Sequence, residues 1–367
     1  DFRVKSNNVD TARVTIDTRL GKAHDAWTKT LPIKRPIVFV SKTIADKPID
    51  SAAAYDLDEQ LTNIDATTNR ATIIDAESYV DITIDRTGLS SLKEGLRYLV
   101  QYPYGCLEQT MSSLLPMFRL KTFSKALDLP ELRGKKLGKY IAAGVERLKG
   151  FQSESGMFSL WTNGKPSGHL TAYALFGLEE GRKSGVDISA EILANARKAL
   201  KAWVNKASRK MIAGGEIGTM AMAAYALSQG NASDPGLNAR LFEHRASLPI
   251  YGKAFLLRAL LQVDTSKASS NDYNRNSTRI QVVTLLSDIV KSIVVEGEAS
   301  KVIEGASMTR YMSSNVRSSA IALSAFVDAM RSKSVTADWK DKIRDKIIPP
   351  LVTGLKRARA GDGHWHN

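Results

Sequence analysis

A single cysteine, Cys106, stands in 367 residues, so no intrachain disulfide can form and no redox framework exists. Long apolar runs are missing too. Nothing approaches the roughly 20 residues that a membrane span needs, and the opening Asp1-Phe2-Arg3-Val4-Lys5 has no apolar signal core. The chain does not begin with Met, so we expect a mature or excised piece. Aromatic residues are only 7 % of the total and do not interleave with basic ones as a nucleic-acid surface would require. Zinc-ligand spacings are absent as well. His364 and His366 flank Trp365, but two histidines without Cys or carboxylate support do not make a metal site. We expect neither metal nor cofactor.

What is present excludes disorder and collagen: 43 % of residues are hydrophobic and 25 % charged. Charge is uneven. Residues 1–90 carry 12 Lys/Arg against 14 Asp/Glu, and the other 40 basic and 24 acidic residues follow them. A basic domain of that kind invites an anionic partner. Its basic residues are scattered, however, as at Arg197, Lys198, Lys201 and Lys206. They suit solvated helix faces, and nucleic acid is set aside.

Residues 1–87 have strand character. Alternating or β-branched runs occur at Ala12–Asp17, Pro36–Val40, Ala71–Asp75 and Tyr79–Asp85. From Gly88 the period becomes helical. Ser90 and Ser91 precede the stripe Leu92, Leu96, Leu99 and Val100, and the turn Tyr102-Pro103-Tyr104-Gly105 stops that helix. A second helix begins near Cys106. Others are predicted near 135–150, 169–181, 188–206, 217–229, 237–247, 251–263, 279–295, 315–331 and 338–356. Three of them share an Ala-rich face with one aromatic: Leu170–Leu178 with Tyr173, Ala221–Ser228 with Tyr225, and Ser319–Val327 with Phe326. Tyr173 and Tyr225 are 52 residues apart, and Tyr225 and Phe326 are 101 apart. That is one and two steps of a helical-hairpin repeat. A closed α/α toroid and an open solenoid both fit this period.

The chemistry is concentrated in Tyr102–Thr110. Cys106 and Gln109 are three residues apart, on one face of a first helical turn. A thiolate there can attack the Gln109 amide carbon, expel ammonia and leave an internal thioester. The free N–H groups of a helix start favour both the thiolate and the developing oxyanion. Gly105 leaves room beside the sulfur. A lone cysteine is otherwise most often a small buried hydrophobe.

Tyr102–Thr110 resembles the thioester motif of the bacterial α2-macroglobulins, relatives of the vertebrate macroglobulins and complement components. Leu92–Leu99, Gly156–Trp161, Leu170–Tyr173, Tyr311–Leu323 and Gly363–Asn367 resemble the helices and hairpins around it, so the similarity covers residues 88–367. The resemblance implies a mainly α protein: an α/α-toroidal thioester domain over 88–367, lacking its last helices, behind a partial CUB-like domain over 1–87. It also implies a site. Gln109 would be the acyl donor and Cys106 the leaving thiolate, with Gly105, Leu107 and Glu108 as motif residues. In the family, cleavage of a bait region elsewhere exposes the thioester, which acylates a lysine of the attacking protease and traps it. Partners are therefore target proteases and the other domains of a parent macroglobulin. That parent is expected in the periplasm, with a lipid anchor in the inner membrane.

Tyr102 and Tyr104 flank the site. They either pack the turn or shield the thioester from water. Some relatives use a later histidine to pass the acyl group to hydroxyls, yet Ser208–Ala221 contains no imidazole. His169 is the remaining candidate base, against a packing or capping role. Two other readings stay open: a toroid-fold hydrolase pairing Cys106 with His169, and a toroid that only binds partners.

Overall fold

The computed structural model describes residues 11–32, 104–127, 136–207, 216–264, 272–305 and 314–359. The chain divides into two units, Asp1–Lys42 and Thr43–Asn367.

In the first unit, β1 (Thr11–Leu20) and β2 (Ala23–Pro32) form an antiparallel hairpin. Gly21 opens its two-residue loop at φ +61°, a left-handed conformation that suits the twist of the flanking strands. Ile16 lies opposite Trp27, and the hydroxyls of Thr15 and Thr28 meet at 3.0 Å on the other face. The sequence pattern finds β1 and passes over β2. Along one face of β2 only Trp27 and Leu31 are large and apolar, beside Asp25 and Lys29, so the alternation is blurred. The strands expected at Pro36–Val40, Ala71–Asp75 and Tyr79–Asp85 lie outside the described residues, as does the helix at Leu92–Val100.

The second unit is helical. Its elements are α1 (Leu107–Leu127), α2 (Lys136–Lys149), α3 (Gly168–Lys183), α4 (Ala190–Ala207), α5 (Ile217–Gln229), α6 (Pro235–Glu243), α7 (Ile250–Asp264) and α8 (Asp272–Val290). The hairpin β3 (Ile293–Glu296) and β4 (Ala299–Val302) follows, then α9 (Asn315–Arg331), α10 (Ala337–Lys342) and α11 (Ile348–Arg357). Side-chain caps set several starts: Ser167, Asp234 and Ser314 each accept the backbone N–H three residues on, at 3.0–3.1 Å.

Odd-numbered helices pack on one another in sequence, α1 on α3, α3 on α5, α5 on α7 and α7 on α9. The even-numbered α2, α4, α6 and α8 each pack on the helix before them. This is an inner row of helices with an outer row behind it. The inner helices run parallel, since their starts meet starts and their ends meet ends. Ser112 of α1 reaches Tyr173 of α3 (3.2 Å), and His169 of α3 reaches Thr219 of α5 (3.2 Å). At the far end Gln229 of α5 donates to Glu180 of α3, and Arg258 of α7 pairs with Asp328 of α9 at 2.7 Å.

Small residues let the inner helices approach. A Cβ at Gly177 would lie 2.0 Å from Met111 Sδ, and one at Gly181 would lie 2.9 Å from the Phe118 ring. Every residue of α5 is buried, as expected of a helix covered on all sides. Phe176, Tyr225 and Phe255 join α3, α5 and α7 with ring centroids 5.8–6.0 Å apart.

The ends of the inner helices carry buried charge. Glu179 is fully buried between Arg182 (2.9 Å) and Arg197 (2.8 Å). Glu180 is paired with Arg119, and Arg258 stacks 4.1 Å over the Tyr225 ring. Such carboxylates are tolerable in the interior because cations and hydrogen bonds replace their water.

Three predicted helices differ from what forms. The one at 279–295 ends at Val290, and β3–β4 begins. The β-branched run Ile293-Val294-Val295 and a turn with Gly297 at φ +62° override the helical period. The one at 237–247 is α6 and a separate 3-10 turn, Arg245–Ser247. The one at 338–356 is divided by a π-turn, Ile343–Ile347. Pro349 and Pro350 follow it, and neither can donate to the preceding turn. The repeat is also irregular. Phe255 of α7 lies 30 residues after Tyr225 and 71 before Phe326, because α6 is short and β3–β4 is inserted after α8.

Candidate functional site

The site is the start of α1. Cys106 immediately precedes the first helical residue, and its carbonyl accepts the Thr110 N–H at 3.0 Å. Its own N–H donates to Gln109 Oε1 at 3.1 Å. The glutamine thus reaches back over the turn to the residue that begins it, as the third helical residue of a capping box does. Gly105 makes this fit. Its φ is +94°, and a Cβ there would fall 1.9 Å from Gln109 Oε1. Cys106 is 8 % exposed and Leu107 fully buried, whereas Gln109 is exposed and Glu108 half-buried. One end of the pair is therefore sheltered and the other faces outward.

Two contacts hold the turn from outside. Leu107 N–H donates to Leu160 O at 3.0 Å, fastening α1 to the connection between α2 and α3. Arg147, in the last turn of α2, places Nε and Nη2 at 3.1 and 2.6 Å from the Gly105 carbonyl oxygen. Its guanidinium lies 5.6 Å from the Phe151 ring centre. Tyr104 is 62 % exposed; Tyr102 lies outside the described residues.

Because the inner helices are parallel, their starts bring further polar groups to the end of the domain that holds Cys106. Burial pushes the Tyr173 hydroxyl up to about 12, with the Glu108 charge adding to the rise and the Ser112 hydrogen bond opposing it. Burial, and then the nearby Arg317, push His169 down to about 4. Its imidazole is neutral at physiological pH. His169 Nδ1 lies 3.2 Å from Thr219 Oγ1, and Arg317 stacks 4.4 Å from the Tyr251 ring centre. Glu304 closes this side. It accepts the N–H groups of Ile250 (2.8 Å) and Tyr251 (2.9 Å) at the head of α7 and the Ser318 hydroxyl (2.6 Å) of α9.

The sequence singles out Cys106, Gln109, Gly105, Leu107, Glu108, Tyr104 and His169, and the structure describes each of them. It brings Cys106, Gly105 and Gln109 into mutual contact. His169 contacts Thr219. His24 belongs to β2, 2.8 Å from Asp17, and His244 ends α6; His364 and His366 lie outside the described residues. Among the described residues no group of three His, Cys, Asp or Glu could hold a metal ion, and no helix is long and apolar enough to cross a membrane. Sequence reasoning missed Arg147, 42 residues from the carbonyl that it holds. No motif links the two, and only the packing of α2 on α1 brings them together.

Residues 76–227 match the A-macroglobulin TED domain family. The α2-macroglobulin of Escherichia coli K12 is 26 % identical over 159 residues, covering 41 % of this chain and 10 % of the relative. That of Thermotoga maritima is 28 % identical over 102 residues, 28 % of this chain and 6 % of the relative. The chain thus spans a tenth or less of the length of these curated relatives. Salmonella α2-macroglobulin reacted with methylamine superposes with a TM-score of 0.55 at 19 % identity, over 74 % of this chain and 17 % of that one. Trypsin-activated E. coli α2-macroglobulin does so with a TM-score of 0.51 at 20 % identity, over 72 % and 16 %. At these identities the structures speak to the fold, an α/α toroid with small β segments.

Proposed function

From the match of residues 76–227 to the A-macroglobulin TED domain family, we propose that Cys106 and Gln109 form an internal thioester through which a parent macroglobulin covalently traps proteases. The observation that carries the proposal is the Gln109 oxygen held on the Cys106 N–H, 3.1 Å away, in space that only a glycine at 105 leaves free. The same turn thereby carries the nucleophile and the carbonyl it attacks.

The Cys106 sulfur adds to Gln109 Cδ, and charge gathers on Oε1. Nε2 leaves as ammonia with the thiol proton, and a carbon–sulfur bond remains. An amine nitrogen then adds to the same carbon. The carbon–sulfur bond breaks, and the amine's proton returns to the sulfur. Each chain reacts once, so the role is inhibitor rather than enzyme. Lysines of target proteases are the acceptors, and the other domains of the parent are standing partners. Relatives crystallised after reaction with methylamine and after activation by trypsin favour amine acceptors and protease partners. A periplasmic, lipid-anchored parent belongs to the same proposal. Tyr104 serves as part of the shield against water, together with Tyr102. Leu107 anchors the turn in the core.

A second reading draws on the same hydrogen bond: Gln109 caps α1 and Cys106 stays a thiol. Intact mass and thiol titration separate the two. The proposal expects protein one ammonia lighter than its sequence, no titratable thiol, and methylamine addition that frees Cys106. Gln109→Ala should show a free thiol at once. Full sequence mass with an immediate thiol in every gentle preparation of the unaltered chain would leave only the cap.

A further inference from the structure

We propose that Arg147 is a positioning residue for acyl transfer at Gln109, acting through the Gly105–Cys106 peptide unit. The inference rests on the acyl-donor reading above. Arg147 reaches neither Cys106 nor Gln109 in any hydrogen bond of the described structure; its two donors converge on the Gly105 carbonyl oxygen at 3.1 and 2.6 Å. That carbonyl shares one planar peptide with the Cys106 N–H, and in a trans peptide the two point in opposite directions. The far side of the plane is the N–H that donates to Gln109 Oε1 at 3.1 Å. Guanidinium, peptide and glutamine oxygen therefore form one line of donors and acceptors.

This arrangement has two physical consequences. The first is orientation. Gly105 at φ +94° lacks the side chain that would restrict its peptide, and the two-pronged contact from Arg147 replaces that restriction from outside. The second is polarisation. A cation on the carbonyl draws electron density through the amide and strengthens the N–H as a donor, as linked hydrogen bonds do. Thioester formation and its aminolysis both build negative charge on the Gln109 oxygen, so a prepared donor there serves both steps. Lys149, the other basic residue in that turn of α2, is engaged by Glu146 at 2.6 Å.

The test uses the full chain and its Arg147→Met, Arg147→Lys and Arg147→Gln variants. Methionine keeps an apolar stem near Phe151 and removes the charge. We expect methylamine uptake by Arg147→Met to be roughly tenfold slower, the scale of weakening one oxyanion donor, with Arg147→Lys in between. The thioester carbonyl band, read by infrared difference before and after methylamine, should move to higher frequency in Arg147→Met. A residue that merely tied α2 to the turn would not move that band at unchanged melting temperature. Should Arg147→Met fail to fold, Arg147→Lys and Arg147→Gln carry the same comparison. Wild-type uptake rate and band position in the charge-free variants would overturn the relay and leave the acyl-donor reading standing. An unaltered chain of full mass that takes up no methylamine would overturn both.

Discussion

Gly105 and Gln109 compete for one volume: a methyl group on the glycine would sit 1.9 Å from the glutamine oxygen. Either the turn keeps a glycine or the glutamine leaves its place over Cys106. Gly105→Ala should therefore lose methylamine incorporation, falling by at least tenfold. It should also lose about 2 kcal/mol of stability from the φ of +94° alone. Urea unfolding and mass spectrometry read the two effects separately. Incorporation at the wild-type rate would mean that the glutamine need not occupy that volume.

His169 makes a pH prediction with a definite sign. Its folded value, about 4, lies below the ordinary 6.5. The unfolded chain therefore binds the extra proton first as pH falls. The stabilisation associated with the neutral ring is present above 6.5 and is lost progressively between 6.5 and 4. Allowing for the ring's partial exposure, about 2 kcal/mol is at stake. Urea midpoints at pH 7 and pH 4.5 should differ less in His169→Asn than in the wild type. Parallel profiles would show that His169 titrates normally.

Acceptor choice follows from the same residue. An amine attacks a thioester without a base, whereas an alcohol must lose a proton on the way. Ser208–Ala221 supplies no imidazole, and the His169 ring is near Thr219 at 3.2 Å. Methylamine should add to Gln109 far faster than glycerol at matched concentration, and His169→Ala should leave the amine rate within twofold. Efficient glycerol transfer that vanishes in His169→Ala would make His169 the base and extend the acceptors to hydroxyls.

The buried charges at the opposite end of the inner helices should matter for folding and not for acylation. Glu179→Ala strands Arg182 and Arg197 and leaves a hole at a fully buried position. It should cost about 3 kcal/mol in guanidinium unfolding while any surviving folded protein takes up methylamine normally. A loss below about 0.5 kcal/mol would show that water or neighbouring side chains replace the carboxylate readily.

Much of the helical unit was legible because its signals are local. α5 and α9 begin and end where the sequence places them, at 217–229 and 315–331. A capping Ser314 and a dense apolar pattern mark those limits within a few residues. The hairpin β3–β4 was hidden by the apolar period running into it from α8. Strand β2 was hidden because Asp25 and Lys29 alternate with Trp27 and Leu31 along one face. At the site, Cys106 and Gln109 are neighbours in sequence and could be read as a pair. Arg147 could not, since its role exists only once α2 has packed. Nor could the neutrality of His169, which depends on burial and on Arg317 from another helix.

The complete burial of α5 has a consequence for how the chain is made. α5 ends at Gln229, and α7, which covers one of its sides, is complete only at Asp264, 35 residues later. At a synthesis rate of roughly 5–20 residues per second, that interval is about 2–7 s. For those seconds a mostly apolar helix has emerged without α7 over it, while α3 already waits on its other flank. Slowing translation between Gln229 and Asp264 would prolong the exposure of this helix. Any holding factor that protects this fold during synthesis would act in that window.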